Sequence, residues 1–146
     1  MTDKTVALAA DHAGYELKQS LAEELVSLGY RLVDLGTNGP ESVDYPDYGK
    51  AMADALTAKR APRGVIVCGT GIGISIAANR NPSVRAALCH DSTTARLARQ
   101  HNDANVLAIG ARVTGLETAK DMLRAFLDTP FEGGRHGRRV EKLGAP

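Results

Sequence analysis

Along this chain of 146 residues, short apolar runs alternate with longer segments whose apolar positions recur every three or four residues. The short runs are Val6-Ala7-Leu8-Ala9-Ala10, Arg31-Leu32-Val33-Asp34-Leu35, Gly64-Val65-Ile66-Val67-Cys68, Val84-Arg85-Ala86-Ala87-Leu88-Cys89 and Val106-Leu107-Ala108-Ile109-Gly110. Such runs, bounded by Gly, Pro and polar turns, predict strands buried on both faces. Between the first two, Leu17, Leu21, Leu25 and Leu28 share one helical face, and Gly29 ends it. A second helix is expected from Asp47 to Lys59 with Met52, Ala55 and Leu56 inward, a third from Ile74 to Asn79, and a fourth from Ser92 to Arg99. Thr114-Gly115-Leu116-Glu117 has capping-box spacing, and Leu116, Ala119, Leu123, Phe126 and Leu127 stripe the helix it opens. Strands alternating with amphipathic helices predict a doubly wound α/β domain with a parallel sheet covered on both faces. No linker, internal repeat or low-complexity stretch divides residues 1–146, so one domain is expected. The tail from Phe131 to Pro146 shows no clear period and reads as a solvated C-terminus carrying Arg135, Arg138, Arg139 and Lys142 against Glu132 and Glu141.

Composition narrows the class. Hydrophobic residues at 43% and charged residues at 24% exclude collagen-like, disordered and disulfide-scaffold chains. With 18 basic and 17 acidic side chains there is no overall electrostatic footprint for nucleic acid or an anionic membrane, so any anion site must be local. No run approaches the roughly 18 apolar residues of a membrane span, and the N-terminus lacks the apolar core of a signal peptide. Cys68 and Cys89 lie outside any C-x-x-C pair, which predicts free thiols and a cytoplasmic protein.

In open parallel sheets, ligands bind at the carboxyl ends of the strands. Those ends carry Asp11-His12, Cys68-Gly69-Thr70, His90-Asp91 and Arg112, while His101-Asn102 falls just before the fifth strand. The loop Gly69-Thr70-Gly71-Ile72-Gly73 is the most informative segment, because glycines let backbone N–H groups approach an anion at a helix start. It is no P-loop, lacking the required Lys, and a dinucleotide fingerprint would need glycine where Ile74 stands. A plain packing turn is the structural alternative. Cys68 taken alone reads as a core residue, but beside such a loop it has the surroundings that favour a thiolate. Cys89 has no adjacent glycine loop and reads as core. His12, His90, His101 and His136 show no zinc-ligand spacing, so neither a metal site nor a metal cofactor is expected. His12 and His101 stand out by their neighbours Asp11, Asn102 and Asp103.

Six segments together resemble the ribose-5-phosphate isomerase B family: Ala10-Asp11-His12-Ala13-Gly14, Asp44-Tyr45-Pro46, Cys68 to Asn79, Arg99 to Leu107, Gly110-Ala111-Arg112 and Glu132-Gly133-Gly134-Arg135-His136. They occur in order along essentially the whole chain. The resemblance implies a single Rossmann-like three-layer αβα sandwich with a five-stranded parallel sheet. It also implies cofactor-independent interconversion of ribose 5-phosphate and ribulose 5-phosphate through an enediolate, a step of the pentose phosphate pathway. Relatives within the family act on allose 6-phosphate or galactose 6-phosphate. By the resemblance, Cys68 is the C2 base, Thr70 moves the proton between O1 and O2, and His101 opens the sugar ring with Asp11 nearby. Backbone N–H groups of Gly69, Gly71 and Gly73 would hold the enediolate oxygen. His12, Arg112, Arg135 and Arg139 would hold the phosphate, with the tail 131–146 contributing to the site, and Tyr45 and Asn102 would touch the sugar. Arg138 falls outside the family's R-H-x-x-R match. A second branch of the family carries a glutamate where Ile74 stands, so this chain matches the cysteine branch. The resemblance further implies a homodimer or dimer of dimers, with sites between subunits. The competing classes are a non-catalytic phosphate- or nucleotide-binding module and an NAD-dependent oxidoreductase.

Overall fold

The computed structural model describes residues 3–144. Five parallel strands, β1 (Thr5–Ala10), β2 (Arg31–Asp34), β3 (Arg63–Cys68), β4 (Ala86–Leu88) and β5 (Val106–Gly110), form one sheet in the order β2-β1-β3-β5-β4. The helices are α1 (Tyr15–Ser27), α2 (Tyr45–Thr57), α3 (Ile72–Ala78), α4 (Ser92–Asn102), α5 (Leu116–Asp128) and α6 (Arg135–Leu143). Side chains alternate along each strand, so two cores form. Val6, Leu8, Val65, Val67, Leu107 and Ile109 face Leu21, Leu25, Leu123 and Phe126 of α1 and α5. Ala7, Ala9, Ile66, Cys68 and Ala108 face Met52 of α2 and Ile74 and Ala78 of α3. This is the three-layer αβα sandwich; the central strands β1, β3 and β5 are buried on both faces, whereas the edge strands β2 and β4 are only partly covered, and β2 carries Arg31 and Asp34 at its ends. Among the described residues no helix is long and apolar enough to cross a membrane.

Several boundaries depart from expectation. α2 starts at Tyr45, because Pro46 falls in the first turn, where its missing N–H is no loss. α3 starts at Ile72, since Gly71 with φ 78° serves as its N-cap. α4 runs on to Asn102, which places His101 and Asn102 in a helical turn rather than a loop. The expected strand from Val84 to Cys89 shrinks to Ala86–Leu88. The capping box is not formed: Gly115 is the N-cap of α5 without a side-chain bond, and Thr114 Oγ1 is buried without a partner. The largest departure is the tail. It is no solvated coil but helix α6, packed on α4 with His136 buried.

A half-buried ion pair joins α1 to β2. Lys18 is fully buried, and its Nζ lies 2.8 Å from both carboxylate oxygens of Asp34, which is 43% exposed. Asp34 Oδ1 also accepts from Gly36 N–H at 2.9 Å, while Gly36 C=O accepts from Ala10 N–H at 2.8 Å. The pair therefore pins the loop after β2 beside the end of β1. Asp34→Ala leaves the buried Lys18 ammonium with Gln19 Oε1 at 3.2 Å as its remaining partner and is expected to cost about 3 kcal/mol. Lys18→Met should cost clearly less, since Asp34 keeps its water and the methionine stem refills the space. Urea unfolding of both variants checks the asymmetry.

Candidate functional site

The order β2-β1-β3 reverses the direction of winding between β1 and β3, and this is the crevice where open α/β sheets take their ligands. Asp11 leaves β1 there, and its backbone N–H bonds Val67 C=O of β3 at 3.2 Å. Its carboxylate accepts from Gly14 N–H at 3.1 Å, holding it at the start of α1, where it is buried. His12 accepts the Val43 N–H on Nδ1 at 3.1 Å, which leaves Nε2 to carry the proton of the neutral ring.

Cys68 ends β3 at only 4% exposure, directed to the α2 and α3 side of the sheet. The Gly71 N–H donates to its Sγ at 3.1 Å. Thr70 Oγ1 accepts from Ile72 N–H at 3.2 Å, so its hydroxyl proton is free to be given away. Gly71 is dictated by space as well as by its positive φ: a Cβ there would stand 2.6 Å from Leu88 and 2.9 Å from the Ile109 carbonyl carbon. At Gly73 a side chain would run into the Tyr45 ring, 2.6 Å from its Cζ. Tyr45 thus lies over the glycine loop. Arg112 lies beside Gly69, with its N–H bonded to Gly69 C=O at 2.9 Å and its guanidinium within 3.6 Å of the position a Gly69 Cβ would occupy. Asp11, His12, Tyr45, Cys68, the glycine loop and Arg112 therefore gather at one carboxyl edge.

The remaining candidates do not join them. The 11 residues of α4 carry the chain about 16 Å back toward the amino edge. His101 sits in its last turn, and Asn102 lines a cavity of about 390 Å³ with Asn79, Arg85 and Ala86 at the start of β4. α6 lies on α4, placing Arg135 and Arg139 at this same edge. Asp11 follows the carboxyl end of β1 whereas α4 carries His101 to the amino end of β5, so the two do not meet within one chain. The candidates thus fall into two groups at opposite edges of the sheet.

The second group contains a cluster that motif reading missed. The His101 and His136 rings stack with centroids 4.6 Å apart and planes 14° from parallel, and His136 Nε2 lies 3.6 Å from Glu132 Oε1. The signal was present in His136, Val140 and Leu143 at steps of four and three, with histidine filling an apolar position. Burial pushes the His136 imidazole below its usual pKa of 6.5, and His101 and Arg135 push the same way while Glu132 opposes them. A depressed histidine favours the folded state above its unfolded pKa, and that contribution is lost as pH falls through the folded value. The chain should therefore lose stability below pH 6.5, and His136→Gln should flatten that part of the profile in thermal unfolding at varied pH. The other thiol, Cys89, is buried in the core as expected, and burial raises its pKa.

A doubly wound αβα domain with a thiol and a glycine loop at the winding reversal belongs to the Rossmann-like class. The profile described as Ribose/Galactose Isomerase matches residues 6–143. Ribose-5-phosphate isomerase B of Escherichia coli is 46% identical over 142 residues, 97% of this chain and 95% of that protein. D-erythrulose-4-phosphate isomerase of Pectobacterium atrosepticum is 41% identical over 141 residues, 96% of this chain and 93% of that protein. A ribose 5-phosphate isomerase structure from Thermotoga maritima superposes with TM-score 0.96 at 46% identity, covering 99% of this chain and 100% of that one. The chain belongs to the ribose/galactose isomerase family.

Proposed function

We propose that this protein interconverts D-ribose 5-phosphate and D-ribulose 5-phosphate by proton transfer through an enediolate, in the cytoplasm. The observation that carries the reading is Cys68 at the winding reversal, with the Gly71 N–H on its sulfur, in a chain of this family. Moving a proton from C2 to C1 needs a base beside the carbon and donors for the developing oxyanion. The Cys68 thiolate takes the C2 proton, the N–H groups of the glycine loop hold the enediolate oxygen, and Thr70 passes a proton between O1 and O2. The same proton is returned at C1, so substrate and product are isomers, nothing is oxidised overall, and no redox cofactor is called for. His101 opens the furanose ring. His12, Arg112, Arg135 and Arg139 bind the phosphate; among the described residues none of these three arginines forms an ion pair. Two free cysteines fit a reducing compartment.

The working site is completed by a second copy. Two half-sites at opposite edges of one chain cannot act on one pentose, whereas a two-fold pair can set the carboxyl edge of each copy against the amino edge of the other. An apolar surface for such a pairing adjoins the glycine loop: Ile72 and Ile76 are 51% and 55% exposed, beside a groove of about 700 Å³ between α2 and α3.

The substrate is tested by assaying the purified protein without added cofactor on ribose 5-phosphate, allose 6-phosphate, galactose 6-phosphate and D-erythrulose 4-phosphate. The highest kcat/KM is expected on ribose 5-phosphate. A higher value on D-erythrulose 4-phosphate, the sugar named for the Pectobacterium relative, or on a six-carbon sugar, would reassign it. Arg139→Ala should raise KM about tenfold or more with little change in kcat, as expected for a charged hydrogen bond that holds substrate and transition state alike. An unchanged KM would remove α6 from the phosphate site.

A further inference from the structure

The last turn of α4, the segment before α6 and the first turn of α6 bring His101, Glu132 and His136 together, with one donor atom from each inside a 4.8 Å spread. We infer that these three side chains form a binding site for a divalent transition metal ion of the Zn²⁺ or Co²⁺ type, and that an ion held there withdraws His101 from the sugar. The second half of the inference rests on the ring-opening role proposed for His101; the first half does not.

Two imidazoles and one carboxylate are a donor set that three-ligand zinc sites use, leaving a fourth position for water. With metal–nitrogen bonds of about 2.0–2.1 Å, tetrahedral donors stand roughly 3.3 Å apart, so the spread here closes by side-chain rotation alone. The parts that must stay fixed are fixed. α6 packs on α4, which fixes the two backbones, and Glu132 N–H bonds Gln100 C=O at 3.1 Å, tying the backbone of the carboxylate to the turn that carries His101; the stacked rings turn about their side-chain bonds so that their in-plane lone pairs converge. The Glu132 side chain, 51% exposed, is free to follow the rings. Arg135 and Arg139 share this edge and oppose a dication, so binding should be weaker than at a closed structural zinc site and reversible by a chelator. An ion ligated by the two imidazoles occupies the nitrogen lone pair of His101 that proton transfer to the sugar requires.

The test titrates the chelator-stripped full chain with Co²⁺ and then displaces it with Zn²⁺. One Co²⁺ per chain is expected, with tetrahedral visible bands and no thiolate charge-transfer band, because Cys68 and Cys89 take no part. Glu132→Gln and His136→Gln should each weaken Zn²⁺ binding by roughly tenfold or more, at least the loss that removing an outer-sphere partner brings. Because Glu132 is exposed, Glu132→Gln should fold normally even if His136→Gln does not. Zn²⁺ should inhibit isomerisation by wild type reversibly, and Glu132→Gln should need a correspondingly higher concentration. Unchanged affinity in Glu132→Gln, a thiolate band, or the absence of bound metal overturns the site; variant-sensitive binding without inhibition overturns its link to His101. A chain without isomerase activity that still binds metal through these residues would refute the proposed function and leave the site standing.

Discussion

Cys68→Ala is expected to lower kcat/KM for ribose 5-phosphate by about 10²–10⁴-fold, the contribution of a positioned general base. The loss should appear in kcat rather than KM, because the sulfur acts on the C2 proton while the phosphate is held by other residues. The fold should survive. The bonds that fix this position are backbone bonds, Ala111 N–H to Cys68 C=O at 2.9 Å and the β3 ladders to β1 and β5, and alanine keeps all of them. What disappears is one buried sulfur and the acceptor of the Gly71 N–H. Cys68→Ser keeps an acceptor of similar shape but offers a far weaker base, so it should be nearly as inactive, and this separates basicity from packing. Thermal unfolding of both variants guards against trivial loss. An active Cys68→Ala variant would place the base elsewhere.

The part of the molecule that follows from local patterning was legible in the chain. Uncharged runs such as Val65-Ile66-Val67 have no stable place except a strand covered on both faces, and the leucine spacing in α1 leaves one buried stripe. Helix ends were less legible, because Pro46 and Gly71 start helices that apolar spacing alone begins two residues later. α6 was missed because its inward residue is a histidine and its stripe is short, so only packing against α4 reveals it. The candidate site divides in the same way. Residues at the carboxyl edge were placed by the rule for strand ends, and Asp11, Cys68 and Arg112 do gather there. His101 has equal chemical appeal in the sequence, but the direction of α4 carries it to the other edge. The Lys18–Asp34 pair went unread altogether, since a lysine on a helix is ordinarily exposed and only the sheet order brings it beside Asp34.

That division leads to the second large effect. Preparations of Cys68→Ala and His101→Ala should each be nearly inactive on ribose 5-phosphate, yet a mixture that has exchanged subunits should recover about one quarter of the wild-type rate if the pair is two-fold symmetric. In an equal mixture half of the pairs are hybrids. Within a hybrid, one site receives both altered residues and the other receives neither. The intact site combines Cys68 and Thr70 of the His101→Ala chain with His101, Arg135 and Arg139 of the Cys68→Ala chain. Co-expression with two different tags and purification through both isolates the hybrid, for which half the wild-type rate per pair is expected. A site built within one chain would predict no recovery at any mixing ratio, since no chain in the mixture is intact. The Arg139→Ala change sharpens the assignment: placed in the Cys68→Ala chain it should raise KM of the recovered activity, whereas in the His101→Ala chain it should leave that activity untouched. The opposite pattern would put α6 on the same side as the thiol and contradict the two edges on which the arrangement rests.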